Sequence, residues 1–64
     1  MTAYEVVKLV DDYISIVIIF NDDDIAGEMK RYEWLNKFSE LLNYIQVRGM
    51  TVFDETLHLY VYEI

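Results

Sequence analysis

Two segments near the start of the chain have the residue types of β-strands, although their apolar and polar residues do not alternate cleanly. Residues 4–10 are rich in β-branched side chains, and residues 13–20 place apolar groups on both faces of a strand. Asp11 and Asp12 lie between the two segments and suit a two-residue turn. The pattern therefore predicts a β-hairpin over residues 4–20.

The middle of the chain has helical spacing, because apolar residues recur there every three or four positions: Trp34, Leu35, Phe38, Leu41, Leu42 and Ile45. Polar residues 21–24 are predicted to end the preceding strand and to cap this helix. Gly49 is placed to close the helix in a left-handed conformation. Two alternatives remain for its first turns. Either Gly27 marks a break and the helix begins near Met29, or a second apolar stripe makes Met29 and Tyr32 contact residues.

A second hairpin is predicted at the end of the sequence, where residues 51–53 and 57–62 flank a turn at Asp54 and Glu55. One long strand with a bulge at this turn is the alternative. The predicted fold is an α+β domain with a small antiparallel sheet and one helix packed on one face. Its element order is β-β-α-β-β, with β-β-α-β as the alternative, and residues 1–64 form a single domain.

The predicted sheet has apolar side chains on both faces, whereas one helix covers only one of them. Exposed apolar patches of this kind mark interfaces. We therefore expect self-association, most simply a symmetric homodimer that packs through sheet faces or edge strands. The residues expected at this interface are Val6, Val17, Ile19 and Tyr13. The alternative is a monomer in which these side chains remain half-exposed.

The net charge and the amino-acid composition limit the kinds of molecule that the chain is expected to bind. The chain has 64 residues with a net charge of −7, which disfavours direct binding to nucleic acid or to an anionic membrane. A basic protein surface is the electrostatically favoured partner. The longest apolar run, residues 16–20, is too short to span a membrane, and the first residues do not resemble a signal peptide. Together with the absence of cysteine, this predicts a cytoplasmic protein.

The carboxylates are predicted to collect at one end of the molecule, because the chain reverses at each connection of the β-β-α-β-β order and both acidic turns then fall at the same end of the sheet. The expected partner-binding residues are these carboxylates, with two tyrosines as aromatic anchors: Asp22, Asp23, Asp24, Asp54, Glu55, Tyr60 and Tyr62. An acidic end of this kind has three interpretations. It is a solvated cap, a docking site for a basic surface, or a cation site.

The cation interpretation can be compared with a known motif. Residues 22–33 resemble the calcium loop of EF-hands, but Ala26 stands where an oxygen ligand is needed and Lys30 and Arg31 oppose a cation. His58 is the only histidine, so a zinc site built on a histidine pair is excluded. We expect no metal, no cofactor and no enzymatic activity.

In size and charge the chain resembles small inhibitors that viruses and mobile elements encode against nucleic-acid enzymes, including DNA mimics and anti-CRISPR proteins. The likeness implies an acidic protein that inhibits or modulates a target by occluding its nucleic-acid-binding or other basic surface. The alternative is a structural or regulatory homo-oligomer in which the acids provide only solubility.

Overall fold

The structure, a computed structural model, describes residues 1–21 and 23–62. The elements are α1 (Ala3–Val7), β1 (Ser15–Phe20), β2 (Asp24–Lys30), α2 (Arg31–Leu42), β3 (Val47–Phe53) and β4 (Thr56–Val61). The α+β class is confirmed, and so is the order β-β-α-β-β, which a short helix precedes. Within the described residues, no helix is both long enough and apolar enough to cross a membrane.

The four strands form one sheet in the order β2-β1-β4-β3. The outer pairs, β1 with β2 and β3 with β4, are antiparallel, while the central pair β1 and β4 is parallel. The sheet is therefore mixed and not wholly antiparallel as expected. The cause is the crossover through α2, which returns the chain to the end of the sheet where β2 began. As a result β3 runs in the direction of β2, and β4 in that of β1.

The strand predicted over residues 4–10 is wrong, because its first part forms helix α1. The Thr2 hydroxyl accepts a hydrogen bond from the Glu5 N–H at 3.2 Å, and the Thr2 N–H donates to the Glu5 carboxylate at 3.0 Å. This capping box satisfies backbone donors that a short helix otherwise leaves free. Ala3, Val6 and Val7 are buried by it, so two helices cover the sheet face for which one was expected.

The polar segment at 21–24 does not start a helix as predicted. Its described residues connect β1 to β2, and Asn21 adopts a left-handed φ of 51°. Gly27 lies within β2, so it breaks no helix, and α2 begins at Arg31, two residues after the start near Met29 that the first alternative predicted. Met29 packs on the core from β2, whereas Tyr32 is exposed.

The second half of the chain follows the prediction more closely. The helix ends at Leu42 and Asn43 is its C-cap, earlier than expected, and Gly49 lies in β3 at a register irregularity. The hairpin with its turn at Asp54 and Glu55 is confirmed, and the alternative of one long strand is wrong. Both turn residues have positive φ, 53° and 61°, as a type I′ hairpin turn requires.

The core lies between the two helices and the facing side of the sheet. Its sheet residues are Ile16, Ile18, Leu57, Leu59 and Val61, and its helical and loop residues are Ala3, Val6, Val7, Trp34, Leu42 and Ile45. The buried Trp34 indole N–H donates to the Ile16 carbonyl at 2.9 Å. A Cβ at Gly27 would lie 3.4 Å from the Trp34 ring, so glycine leaves the ring room to lie close to β2.

Candidate protein-binding surface

The sheet face that turns away from the helices is the candidate binding surface, and we call it the open face. Strand register defines it, because Val17 and Ile19 alternate with the core residues of β1 and directly opposed residues share a face. It comprises Ile25 and Glu28 of β2, Val17 and Ile19 of β1, His58 and Tyr60 of β4, and Thr51 and Phe53 of β3.

The centre of the open face is closed to solvent in the single chain. Val17 and Ile19 are 5% and 6% exposed although no helix covers them, so the side chains on the flanking strands shield them. Val6, a third residue predicted at an oligomer interface, lies in α1 and belongs to the helix-facing core. Of the four predicted interface residues, only Tyr13 is exposed.

The rim of the open face carries the exposed apolar groups. Phe53 is 70% exposed at the end of β3, and Ile25 is 67% exposed on the opposite edge. The rings of Phe53 and His58 meet edge to face with centroids 6.3 Å apart, and the Arg48 guanidinium lies 5.9 Å from the centroid of the half-buried Tyr60 ring. These contacts hold an aromatic surface in a defined arrangement across β3 and β4.

His58 carries a polar atom that its surroundings leave unsatisfied. The Nδ1 atom is buried and has no hydrogen-bond partner among the described residues. On this strand the side chain lies between Val17 of β1 and Thr51 of β3. A buried ring nitrogen without a partner is an energetic cost that a bound partner with a suitable polar group could remove.

The expected single acidic end is wrong, because the parallel pairing of β1 and β4 separates the two acidic turns. Ser15 lies opposite Thr56, so the turn at Asp54 and Glu55 lies at the end where β1 begins. Asp23 and Asp24 lie at the other end, where β1 finishes. The length of β1 between them is about 17 Å at ~3.3 Å per residue. Asp22 lies outside the described residues.

The two predicted tyrosine anchors occupy the end that carries Asp23 and Asp24. Tyr60 lies opposite Ile19, and the exposed Tyr62 follows β4 with its N–H bound to the Gln46 carbonyl at 3.0 Å. At the opposite end the exposed ring is that of Phe53, which the sequence interpretation did not select. The sequence did contain a signal for Phe53, because an aromatic residue directly before a two-residue hairpin turn lies at the tip of the sheet.

A cleft of about 500 Å³ adjoins the acidic hairpin turn. Partly buried Val10 and Ile14, with Leu57, provide apolar lining, while Tyr13 and Asp54 lie at the same opening. The Lys30 ammonium donates to the Tyr13 carbonyl at 3.1 Å and so ties this loop to the end of β2. The cleft therefore extends the apolar surface around the end of the sheet, next to the two turn carboxylates.

Not every acid in this region is available to a partner. Asp12 forms an ion pair with Arg31, whose guanidinium also donates to the Val7 and Lys8 carbonyls at 3.2 and 2.8 Å. These bonds tie the end of α1 to the start of α2. Asp54 and Glu55 of the hairpin turn, by contrast, are exposed.

The segment that resembles a calcium loop has a different structure. Residues from Asp24 to Lys30 form strand β2, and the Glu33 carboxylate accepts a hydrogen bond from the Lys30 N–H at 3.3 Å at the start of α2. Among residues 1–21 and 23–62, no three histidine, aspartate or glutamate side chains are close enough to hold a metal ion.

No protein-family model, no curated protein and no solved structure matches this chain.

Proposed function

We propose that the chain is a small cytoplasmic protein that inhibits or modulates a target protein by docking its open face on a basic surface of that target. One observation carries the proposal. Exposed apolar groups, Phe53 and Ile25 on the rim and Tyr62 beside it, lie between two acidic turns at opposite ends of the sheet. Apolar anchors flanked by charge are the arrangement that protein interfaces use.

The two kinds of group contribute differently to binding. Burial of aromatic side chains supplies affinity, because such anchors exclude water and dominate interface energetics. Carboxylates at the rim attract a basic target and orient it, mainly by raising the association rate. Glu28 belongs to this charge set because it lies on the open face opposite Val17.

The spacing of the acids favours a target that normally binds nucleic acid. Negative charge placed at both ends of β1, about 17 Å apart, resembles two separated phosphate positions more closely than a single charged patch does. A basic groove that follows a nucleic-acid backbone would meet both turns together. The proposal therefore includes charge mimicry, as a virus-encoded inhibitor would use it.

A matched pair of charge reversals tests this function. Glu28→Lys acts on the open face and Glu40→Lys on an exposed position of α2, and both change the net charge by the same amount. The tagged wild-type chain is incubated with host lysate, and retained proteins are identified by mass spectrometry at low and high salt. We expect Glu28→Lys and Phe53→Ala to lose the proteins that Glu40→Lys retains, and retention to fall as salt rises.

Equal loss with both lysine variants would show that only net charge matters and would contradict docking through the open face. Retention that is insensitive to salt would contradict charge mimicry. The alternative function, a structural or regulatory homo-oligomer in which the acids serve solubility, predicts that both lysine variants behave as the wild type.

A further inference from the structure

The two edges of the sheet differ in how well they are protected. An edge strand presents unpaired backbone N–H and C=O groups, and natural sheets commonly block such edges with charges and bulges. β2 has both kinds of protection. It carries the charged residues Asp24, Glu28 and Lys30, and its pairing with β1 has a register irregularity opposite Ile18 and Ile19. In β3 the one register irregularity lies between Val47 and Gly49, and the regular stretch from Gly49 to Phe53 carries no charged residue.

The side chains on this part of β3 are exposed on both faces of the sheet. Met50 and Val52 lie opposite Leu59 and Leu57, hence on the helix side, yet they are 49% and 71% exposed. Phe53 on the open face is 70% exposed. Neither helix reaches this edge, so unpaired backbone groups and apolar side chains meet solvent along one segment.

We propose that a second copy of this chain covers the β3 edge, pairing antiparallel with the first about a two-fold axis at Thr51. In this register Met50 faces the partner's Val52. Gly49 faces the partner's Phe53. The whole uncharged segment then pairs with itself, and each residue meets one on the same face of the sheet.

The charges favour this register over one in which the axis is shifted to Phe53. With the axis at Thr51, the acidic turn of one copy lies near Arg48 of the other, so Asp54 meets an opposite charge. With the axis moved to Phe53, Val52 would face the partner's Asp54 and the two acidic turns would lie side by side. Like charges placed opposite one another destabilise strand pairing.

The product is a continuous sheet of eight strands, with the helices of both copies on the same side. The two open faces join across the β3 edges, and their aromatic rims become neighbours. The dimer does not require a target protein, because its backbone hydrogen bonds form along the β3 edge, although Thr51 and Phe53 also belong to the open face. A five-residue strand pairing is small for a protein interface, so we expect dissociation in the micromolar range.

Sedimentation equilibrium of the full chain tests the dimer, whose mass is twice the 7.7 kDa of one chain. We expect Val52→Lys to raise the dissociation constant roughly tenfold or more, because the charge must be desolvated when the edges pair. Ile25→Lys is the matched control, since Ile25 is 67% exposed on the other edge. It should leave the dimer intact, as should Glu28→Lys.

A second measurement reports on the register. The chain contains no cysteine, so Thr51→Cys places a single thiol at the two-fold axis. Directly opposed residues in antiparallel strands lie close enough for a disulfide, and we expect rapid oxidation to a covalent dimer. Ile25→Cys should oxidise much more slowly.

A wild-type chain that remains a 7.7 kDa monomer up to about 100 μM would overturn the proposal, because edge pairing of this kind is expected at micromolar concentrations. Equal dissociation by Val52→Lys and Ile25→Lys, or equally fast oxidation of both cysteine variants, would overturn it too. A dimer that persists while Glu28→Lys abolishes target retention separates this inference from the proposed function.

Discussion

Trp34 connects the helix layer to the sheet at the scale of a single residue. Its ring is 4% exposed, packs against the Phe38 ring at 5.5 Å, and lies over Gly27. Its indole N–H satisfies the Ile16 carbonyl in a region that water does not reach. One side chain therefore combines apolar burial with the pairing of a buried polar group.

We predict that Trp34→Phe lowers the free energy of unfolding by about 1–3 kcal/mol, because the buried hydrogen bond to the Ile16 carbonyl is lost while part of the ring volume remains. Urea unfolding measures the change. Tyr44→Phe is the control, since Tyr44 is 75% exposed and should change stability by less than about 0.5 kcal/mol. Equal effects of the two substitutions would show that the buried hydrogen bond contributes nothing.

At the scale of the element, α1 depends on its first turn. A five-residue helix is too short to be stable without capping and tertiary packing. The Thr2 backbone N–H and then its hydroxyl, both hydrogen-bonded to the Glu5 carboxylate, hold the pKa of Glu5 below its ordinary value. Because the pKa is lower in the folded state, ionised Glu5 stabilises the fold above its unfolded pKa. That contribution is lost as pH falls through the folded pKa.

We therefore expect Glu5→Gln to lower the melting temperature slightly at neutral pH, and the difference from the wild type to disappear as pH falls through the carboxyl pKa. Thermal melts at a series of pH values provide the measurement. Glu40→Gln makes the same chemical change on an exposed turn of α2, outside the capping box, and is the matched control for the loss of one negative charge. A constant difference at every pH would contradict the role of the ionised carboxylate.

Helix α1 also shows where sequence interpretation failed although the signal was present. Ala3, Val6, Val7 and Val10 follow helical spacing, and Thr2 with Glu5 forms the capping-box pattern. The β-branched valines favoured a strand, but tertiary packing overrode that weak preference. The second hairpin was predictable because its turn and its alternation are local. The parallel pairing of β1 with β4 was not, because no local pattern encodes which distant strands meet.

At the scale of the whole molecule, the chain carries a net charge of −7, and its described residues extend over 26 × 25 × 18 Å. The Debye length is about 30 Å in 0.01 M salt and a few ångströms in molar salt, so at low salt all the carboxylates repel one another. The same charges that would attract a basic target therefore oppose compact folding. Salt should act in opposite directions on stability and on binding.

We predict that the melting temperature rises as NaCl increases from about 0.01 to 0.5 M, because screening weakens this repulsion. Asp23→Asn/Asp24→Asn carries two fewer negative charges and should show a smaller rise. Calorimetry at constant protein concentration gives both slopes. Identical slopes would mean that salt acts on apolar burial and not on charge repulsion.

The central parallel pair has a consequence for the order in which the chain folds. Each hairpin joins strands that are close in sequence, so β1 with β2 and β3 with β4 can form after closure of short loops. The pairing of Ser15 with Thr56 closes a much longer loop, whose entropy must be lost before those contacts form. Folding should then proceed by collision of two preformed hairpins along β1 and β4, with a rate limited by this contact and slower than that of a helical bundle of equal length.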